Sequence, residues 1–214
     1  MVKAILWDWD GTLVDSHETI RAAYNAARKA FDMPAMSSEE IKSHVSLSGR
    51  EALPKMFGDR AEQASKIFYE TYQKLAPKTV VAKPNRTEIL RAIADAGYSQ
   101  AVLSNKKGDI LRKECQALGW QGYFTDCIGA GDTEKDKPEP HMYHLWSAKS
   151  HQPKQTMYIG DAPIDAHFAY NCHVDCILLC DETHKREVLE SVAHETGAKV
   201  MTFDNFKAFI ASLR

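Results

Sequence analysis

Asp8 and Asp10 are two carboxylates separated by one residue at the end of the short apolar run Val2, Ala4, Ile5 and Leu6, and Gly11-Thr12 follows them. Side chains alternate along a strand, so both acids can project from the same side at the strand's carboxyl end. Adjacent anionic groups repel unless a cation lies between them, which points to a hard metal such as Mg²⁺. Gly11 allows a sharp turn that brings backbone N–H groups close to an anion. Taken alone the stretch also suits a hydrated acidic turn, because Asp-Gly pairs are common turn formers.

Three later turns hold the same position, just past the end of an expected strand. Ser104-Asn105 follows Ala101-Val102-Leu103, and its hydroxyl and amide can both hydrogen-bond an anionic ligand. Lys137, in Asp136-Lys137-Pro138, stands at the expected start of a helix, where an ammonium can neutralise a phosphoryl oxygen and the charge that develops during transfer. Asp161 is the first acid of the segment Gly160-Asp161-Ala162-Pro163-Ile164-Asp165. Its carboxylate can join a metal held by Asp8 and Asp10, while Asp165 can orient a water on that metal or hold Lys137. Each turn singly has an ordinary structural reading: a loop or cap for Ser-Asn, a solvated lysine, an acidic first helical turn. Four clusters of complementary chemistry at strand ends of one sheet go beyond that reading.

The elements that must position these groups follow from periodicity. Strands are expected over Val2–Leu6, Ser99–Leu103, Tyr123–Gly129, Thr156–Ile159, Asp175–Leu179 and Lys199–Thr202. Between them run helices over Thr87–Ala96, Lys107–Leu118, Pro138–Ser150, Pro163–Tyr170, His184–Glu195 and Asn205–Leu213. Strands alternating with helices predict an α/β fold, a Rossmann-like parallel sheet covered on both faces. After the acidic turn, Ser16 is an expected helix cap for His17–Phe31, and Ile41–Val45, Gly49–Phe57 and Ala61–Leu75 read as further helices, with no strand between Val14 and Lys78. This is an all-helical insert, and Pro77 and Pro84 bracket the return from it, so residues 1–14 and 82–214 form the expected core domain and residues 15–81 a small helical domain.

Composition excludes several classes. The chain has 214 residues, 44% hydrophobic and 26% charged, enough for a full core of ordinary globular type. A formal charge of −2 offers no electrostatic case for nucleic acid or an anionic membrane surface. With no apolar run of membrane-spanning length and no signal-peptide pattern, the expected location is the cytoplasm. Nothing in the sequence points to a protein partner. Cys115, Cys127, Cys172, Cys176 and Cys180 are odd in number and lack a C-x-x-C pair, so they read as buried free thiols, even with His173 beside the last three.

The four clusters, Asp8-Trp9-Asp10-Gly11-Thr12-Leu13-Val14-Asp15-Ser16, Ser104-Asn105, Lys137-Pro138 and Gly160-Asp161 through Asp165, resemble the four motifs of the haloacid dehalogenase superfamily in their order. The pattern is similar to the phosphoglycolate-phosphatase-like branch, which carries a helical cap after the first motif. The resemblance implies a Mg²⁺-dependent phosphatase acting on a small phosphorylated metabolite, with phosphoglycolate one candidate. Asp8 would attack phosphorus and form an aspartyl-phosphate. Asp10 would serve as general acid and then general base. The Asp10 carbonyl and the carboxylates of Asp8 and Asp161 would hold Mg²⁺, with Asp165 acting through water. Ser104 and the backbone around Gly11 and Thr12 would bind phosphoryl oxygens, Asn105 beside them, and Lys137 would stabilise Asp8 and the transition-state charge.

Trp9 stands where smaller or Phe residues are usual in that motif and reads as a core residue. Ala169–His173 stands where the family often has Ala-Gly, so the helix there is expected to end differently. Within the cap, Ser46-Leu47-Ser48-Gly49-Arg50 is the expected loop reaching the site, with Arg50 able to read an anionic substrate. His17 and His44 read as solvated or capping. The alternatives are a sugar-phosphate mutase and a non-catalytic binding module on the same fold. The mutase pattern has a His twelve residues after the nucleophile, where this chain has Ile20. The acid–base residue Asp10 disfavours carbon–halogen displacement, which does not require one.

Overall fold

The computed structural model describes residues 3–37, 40–41, 47–150, 155–180 and 183–212. The strands are β1 (Ala4–Trp7), β2 (Val14–Asp15), β3 (Val81–Ala82), β4 (Ser99–Lys107), β5 (Asp126–Ala130), β6 (Thr156–Gly160), β7 (Asp175–Leu179) and β8 (Lys199–Met201). The helices are α1 (His17–Lys29), α2 (Gly49–Phe57), α3 (Ala61–Thr79), α4 (Arg86–Asp95), α5 (Gly108–Ala117), α6 (His141–Ser150), α7 (Pro163–Asn171), α8 (Thr183–Thr196) and α9 (Phe203–Ser212). Six strands form one parallel sheet in the order β5-β4-β1-β6-β7-β8, and β2 pairs with β3 antiparallel.

The expected parallel sheet covered on both faces is the observed one. All four residues of β1 are buried, as a strand with helices above and below requires. Its alternation divides the core. Ile5 and Trp7 pack with Leu90, Leu111 and Phe206, from α4, α5 and α9. Ala4 and Leu6 pack on the other face with Trp146, Phe168 and Leu189, from α6, α7 and α8. A third apolar cluster joins α1, α2 and α3 through Tyr24, Leu53 and Phe68, and includes Ile110 of α5. No helix among the described residues is long and apolar enough to cross a membrane.

Register sets the site. Trp7 is level with Val102 of β4 and Ile159 of β6, so Asp8, Ser104 and Asp161 all emerge at one edge, the carboxyl ends of three neighbouring strands. With strands added outward from β1 in both directions, this edge is where open α/β sheets bind ligands.

Several expected boundaries move. β2 falls inside the stretch expected to lack strands; two residues paired to two across a long insert carry no periodic signal. Pro77 lies within the last turn of α3, which runs on to Thr79 instead of ending at Leu75, and the Val80 N–H closes that turn on the Ala76 carbonyl at 3.0 Å. β4 runs through Ser104 and Asn105 to Lys107, with a register irregularity between Ser104 and Lys107. α6 begins at His141, which leaves Lys137 in the preceding loop instead of at a helix start. Most of the expected helix Ile41–Val45, together with Ser46 and His44, lies outside the described residues. The helix after β6 ends with His173 at φ 55°, a left-handed position that glycine adopts without strain and that the sequence departs from here. Cys172, Cys176 and Cys180 are buried thiols, as expected.

Candidate active site

β1 stops at Trp7, so Asp8 is the first residue past the strand and Asp10 sits in a turn. The strand alternation expected to align the two carboxylates does not extend to them, and they face different lysines.

Asp8 is anchored by its own backbone N–H, which donates to the Ile159 carbonyl at 2.8 Å. Its Oδ1 accepts from Lys137 Nζ at 2.8 Å. The same ammonium donates to Asp165 Oδ1 at 2.7 Å and to the Tyr158 hydroxyl at 2.9 Å. An ammonium has three donors, and all three are directed. Burial pushes the Asp8 carboxyl up to about 6, against the pull of Lys137 and with a further push from the Asp165 charge. Burial opposes the Lys137 charge too, but Asp165 and Asp8 outweigh it and hold the ammonium protonated well above its ordinary range. A buried anion in this state is a poorly solvated nucleophile beside a fixed positive charge.

Asp8, Asp161 and Asp165 each place a carboxylate oxygen within 4.8 Å of the others. Thr12 donates its hydroxyl to Asp161 Oδ1 at 2.9 Å and fixes that carboxylate. Burial and the Asp8 charge raise the Asp161 carboxyl, offset by Lys185, Lys83 and the Thr12 hydroxyl. Gly11 sits at φ 86°, and a Cβ there would meet Asp161 Oδ2 at 2.5 Å, so only glycine lets the acidic turn lie against that acid. Two mutually unfavourable carboxylates, Asp8 buried and Asp161 half-buried, each offering an oxygen ligand, fit a hard divalent cation. Asp165 is engaged otherwise: Oδ1 takes Lys137, and Oδ2 accepts the backbone N–H groups of Asp161 and Ala162, both at 3.1 Å. It holds the lysine and the turn.

Ser104 is buried within β4, where its register shifts, and its hydroxyl accepts the Lys106 N–H at 3.3 Å. Asn105 clamps the Lys137 backbone instead of facing outward: its Oδ1 accepts the Lys137 N–H at 2.8 Å and its Nδ2 donates to the Lys137 carbonyl at 3.1 Å. This amide fixes the loop that carries the catalytic candidate. Arg50 is likewise committed. Its Nη2 donates to Asp136 Oδ1 at 2.7 Å and to the carbonyls of Thr133 and Glu134 at 3.1 and 2.9 Å, and its Nε reaches Asp136 Oδ2. The expected reader of substrate is, in this structure, a latch from α2 to the loop before Lys137. Arg50→Ala is expected to lower stability by about 1–2 kcal/mol, the scale of charge-assisted hydrogen bonds to a buried carboxylate with one exposed partner. Urea unfolding measures it, and an unchanged midpoint would show that the latch carries no weight.

Asp10 Oδ1 accepts from Lys106 Nζ at 2.6 Å and from the Ser16 hydroxyl, which is therefore not used to cap α1 as its position suggests. Lys106, Glu114, Tyr72 and Tyr158 are site neighbours that sequence reasoning missed. Glu114 left a signal: it interrupts the apolar stripe Ile110, Leu111, Cys115 of α5, and a charge on a buried stripe needs a partner. The tyrosine hydroxyls left none, since both rings fit apolar positions.

The fold and the site define a class first: a Rossmann-like hydrolase whose acidic residues and lysine converge at the carboxyl ends of β1, β5 and β6. The sequence profile of the haloacid dehalogenase-like hydrolases matches residues 5–179, and the chain belongs to that family. A phosphoglycolate phosphatase of Vibrio vulnificus is 28% identical over 183 residues, 79% of this chain and 80% of the relative. A predicted phosphoglycolate phosphatase from Haemophilus somnus superposes with a TM-score of 0.82 at 21% identity, over 97% of each chain. A haloacid dehalogenase-like family protein from Streptococcus pneumoniae gives a TM-score of 0.83 at 18% identity, over 97% of this chain and 98% of the other.

Proposed function

We propose that this chain is a Mg²⁺-dependent phosphatase that hydrolyses a small phosphorylated metabolite through an aspartyl-phosphate on Asp8. The observation that carries the reading is the buried Asp8–Lys137–Asp165 arrangement with Asp161 beside it. Lys137 keeps Asp8 oriented and offers positive charge where phosphoryl oxygens gather. Asp8 attacks phosphorus as the ester P–O bond breaks, and Asp10 gives its proton to the departing oxygen. Asp10 then takes a proton from the water that attacks the phosphoenzyme; the P–O bond to Asp8 breaks and inorganic phosphate leaves. Ser104 and the N–H groups around Gly11 and Thr12 hold the phosphoryl oxygens. The carboxylates of Asp8 and Asp161 and the carbonyl of Asp10 would hold Mg²⁺, with Asp165 fixing Lys137 and the turn beside them. The ion supplies neutralising charge that lets two anions approach.

Residues 15–81 act in this reading as a cap that excludes water and selects the leaving group. Two features support a separate unit: α1 to α3 have their own apolar cluster, and β2 and β3 pair the two chain segments that enter and leave it. Ile20 packs in that cluster, where a mutase-type acid–base His would otherwise stand, which favours hydrolysis. Phosphoglycolate is the first substrate to test, because it names the activity of the curated relatives.

The test is phosphate release from phosphoglycolate and a panel of sugar and triose phosphates, with Mg²⁺ and with EDTA. Turnover should vanish in EDTA and return with added Mg²⁺. Turnover indifferent to chelation, or none on any ester, would overturn the reading.

A further inference from the structure

We propose that Lys106, Glu114 and Tyr72 are positioning residues for Asp10: they pin one of its carboxylate oxygens and leave the other for proton exchange with the substrate. The inference rests on the acid–base role given to Asp10 above.

Three elements meet here. Lys106 is the last residue but one of β4, Glu114 lies on α5, and Tyr72 comes from α3. All three side chains are buried. The Lys106 ammonium sends its three donors to Asp10 Oδ1 at 2.6 Å, the Tyr72 hydroxyl at 2.6 Å and Glu114 Oε2 at 3.1 Å. Its direction is thus fully determined. The Tyr72 hydroxyl donates to Glu114 Oε1 at 2.7 Å. The Trp9 indole N–H donates to Glu114 Oε2 at 2.7 Å, which ties the network to the residue between Asp8 and Asp10. Trp9 does pack in the core, edge-on to Trp120 at 5.7 Å, but an indole N–H buried there needs an acceptor, and Glu114 is the one supplied.

A buried ion pair seldom stabilises a fold more than apolar residues of the same volume. Glu114 and Lys106 occupy a place where leucine and methionine would pack, so their presence calls for a use other than stability. Geometry supplies one. Asp10 Oδ1 is held from two sides, by Lys106 and Ser16, and among the described residues its second oxygen accepts no hydrogen bond. A carboxyl group held this way presents one oxygen in one direction. Glu114 matters because it balances the ammonium charge while Asp10 carries its proton, so Lys106 can stay beside the neutral acid without leaving a net charge buried. Tyr72 matters because it joins this balance to α3.

Leaving-group dependence reads this directly. An alkoxide must be protonated as it departs, whereas p-nitrophenolate leaves without help. The value of kcat/KM for a simple alkyl phosphate and for p-nitrophenyl phosphate is to be measured for the full chain with Mg²⁺, and for Tyr72→Phe and Glu114→Gln. Both substitutions keep the side-chain volume, and Tyr72→Phe removes a single hydroxyl. Each variant should lose about tenfold or more on the alkyl ester and under about threefold on the aryl ester, part of the usual worth of a positioned general acid. In an Asp10→Asn background, Tyr72→Phe should add no further loss on the alkyl ester. Equal losses on the two esters, a gain in rate, or no change would overturn the proposal while leaving the phosphatase reading intact. A wild-type enzyme inactive on both esters and on the metabolite panel would instead remove the phosphatase reading itself.

Discussion

Asp8→Asn is expected to abolish turnover, by about 10⁴-fold or more, the scale seen when a covalent nucleophile is removed. The same substitution should not weaken the fold at neutral pH. Burial raises the Asp8 carboxyl to about 6, so the native state takes up a proton there more readily than the unfolded chain, whose value is near 3.8. The sign follows: ionised Asp8 opposes folding above about pH 6, and that opposition fades as the pH falls towards 4. A neutral amide at this position escapes it and can still accept the Lys137 hydrogen bond. Thermal melts at pH 8 should therefore place Asp8→Asn at or above the wild type, and the gap should close below about pH 6. An inactive variant that also melts much lower would point to a structural role. A variant retaining turnover would remove Asp8 as nucleophile. After a burst with substrate, acid-quenched wild-type protein should carry one acyl-phosphate, and the variant none.

Lys137→Met carries the second large effect, on activity and stability together. Lys137 is buried with Asp8 on one side and Asp165 on the other, at 2.8 and 2.7 Å. Removing the ammonium leaves two buried carboxylates facing each other with no cation between them. Breaking a buried pair in this way costs about 3–5 kcal/mol, and urea unfolding should show it. Turnover should fall by about 10³-fold, in line with losing a fixed charge at developing phosphoryl oxygens. The double variant Lys137→Met/Asp165→Asn separates the two consequences. It removes one of the stranded charges, so stability should recover substantially while turnover stays lost. Recovery of both would mean that Lys137 serves only to neutralise Asp165.

The sequence reading reached the main site groups through local pattern. Apolar runs ending in Asp8, Ser104 and Asp161 are visible because a parallel strand covered on both faces must be continuously apolar and its ligand edge polar. The central sheet, its helices and even the bounds of β7 follow from that alternation. Arg50 and Asn105 show where it stopped. Residue type points both to substrate, yet one grips Asp136 and the other the Lys137 backbone. Side-chain type says what a group can bond to, and not which of several acceptors lies in reach. Lys106 gives no local sign for the same reason: a lysine beside Ser104-Asn105 is ordinarily solvated, and nothing in its neighbourhood of sequence shows that α3 and α5 close over it.

By itself, the order of residues determined the fold class, the family and the line of acids and lysine along one edge, because each depends on periodicity and on motifs a few residues long. Only tertiary structure decided which lysine serves which acid. Asp8 and Asp10 are neighbours in the chain, yet one meets Lys137 from the loop after β5 and the other Lys106 from β4, with Tyr72 and Glu114 brought in from two helices. Such pairings join residues up to 129 positions apart. They are set by register and by helices packing across the sheet, and no short window of sequence contains them.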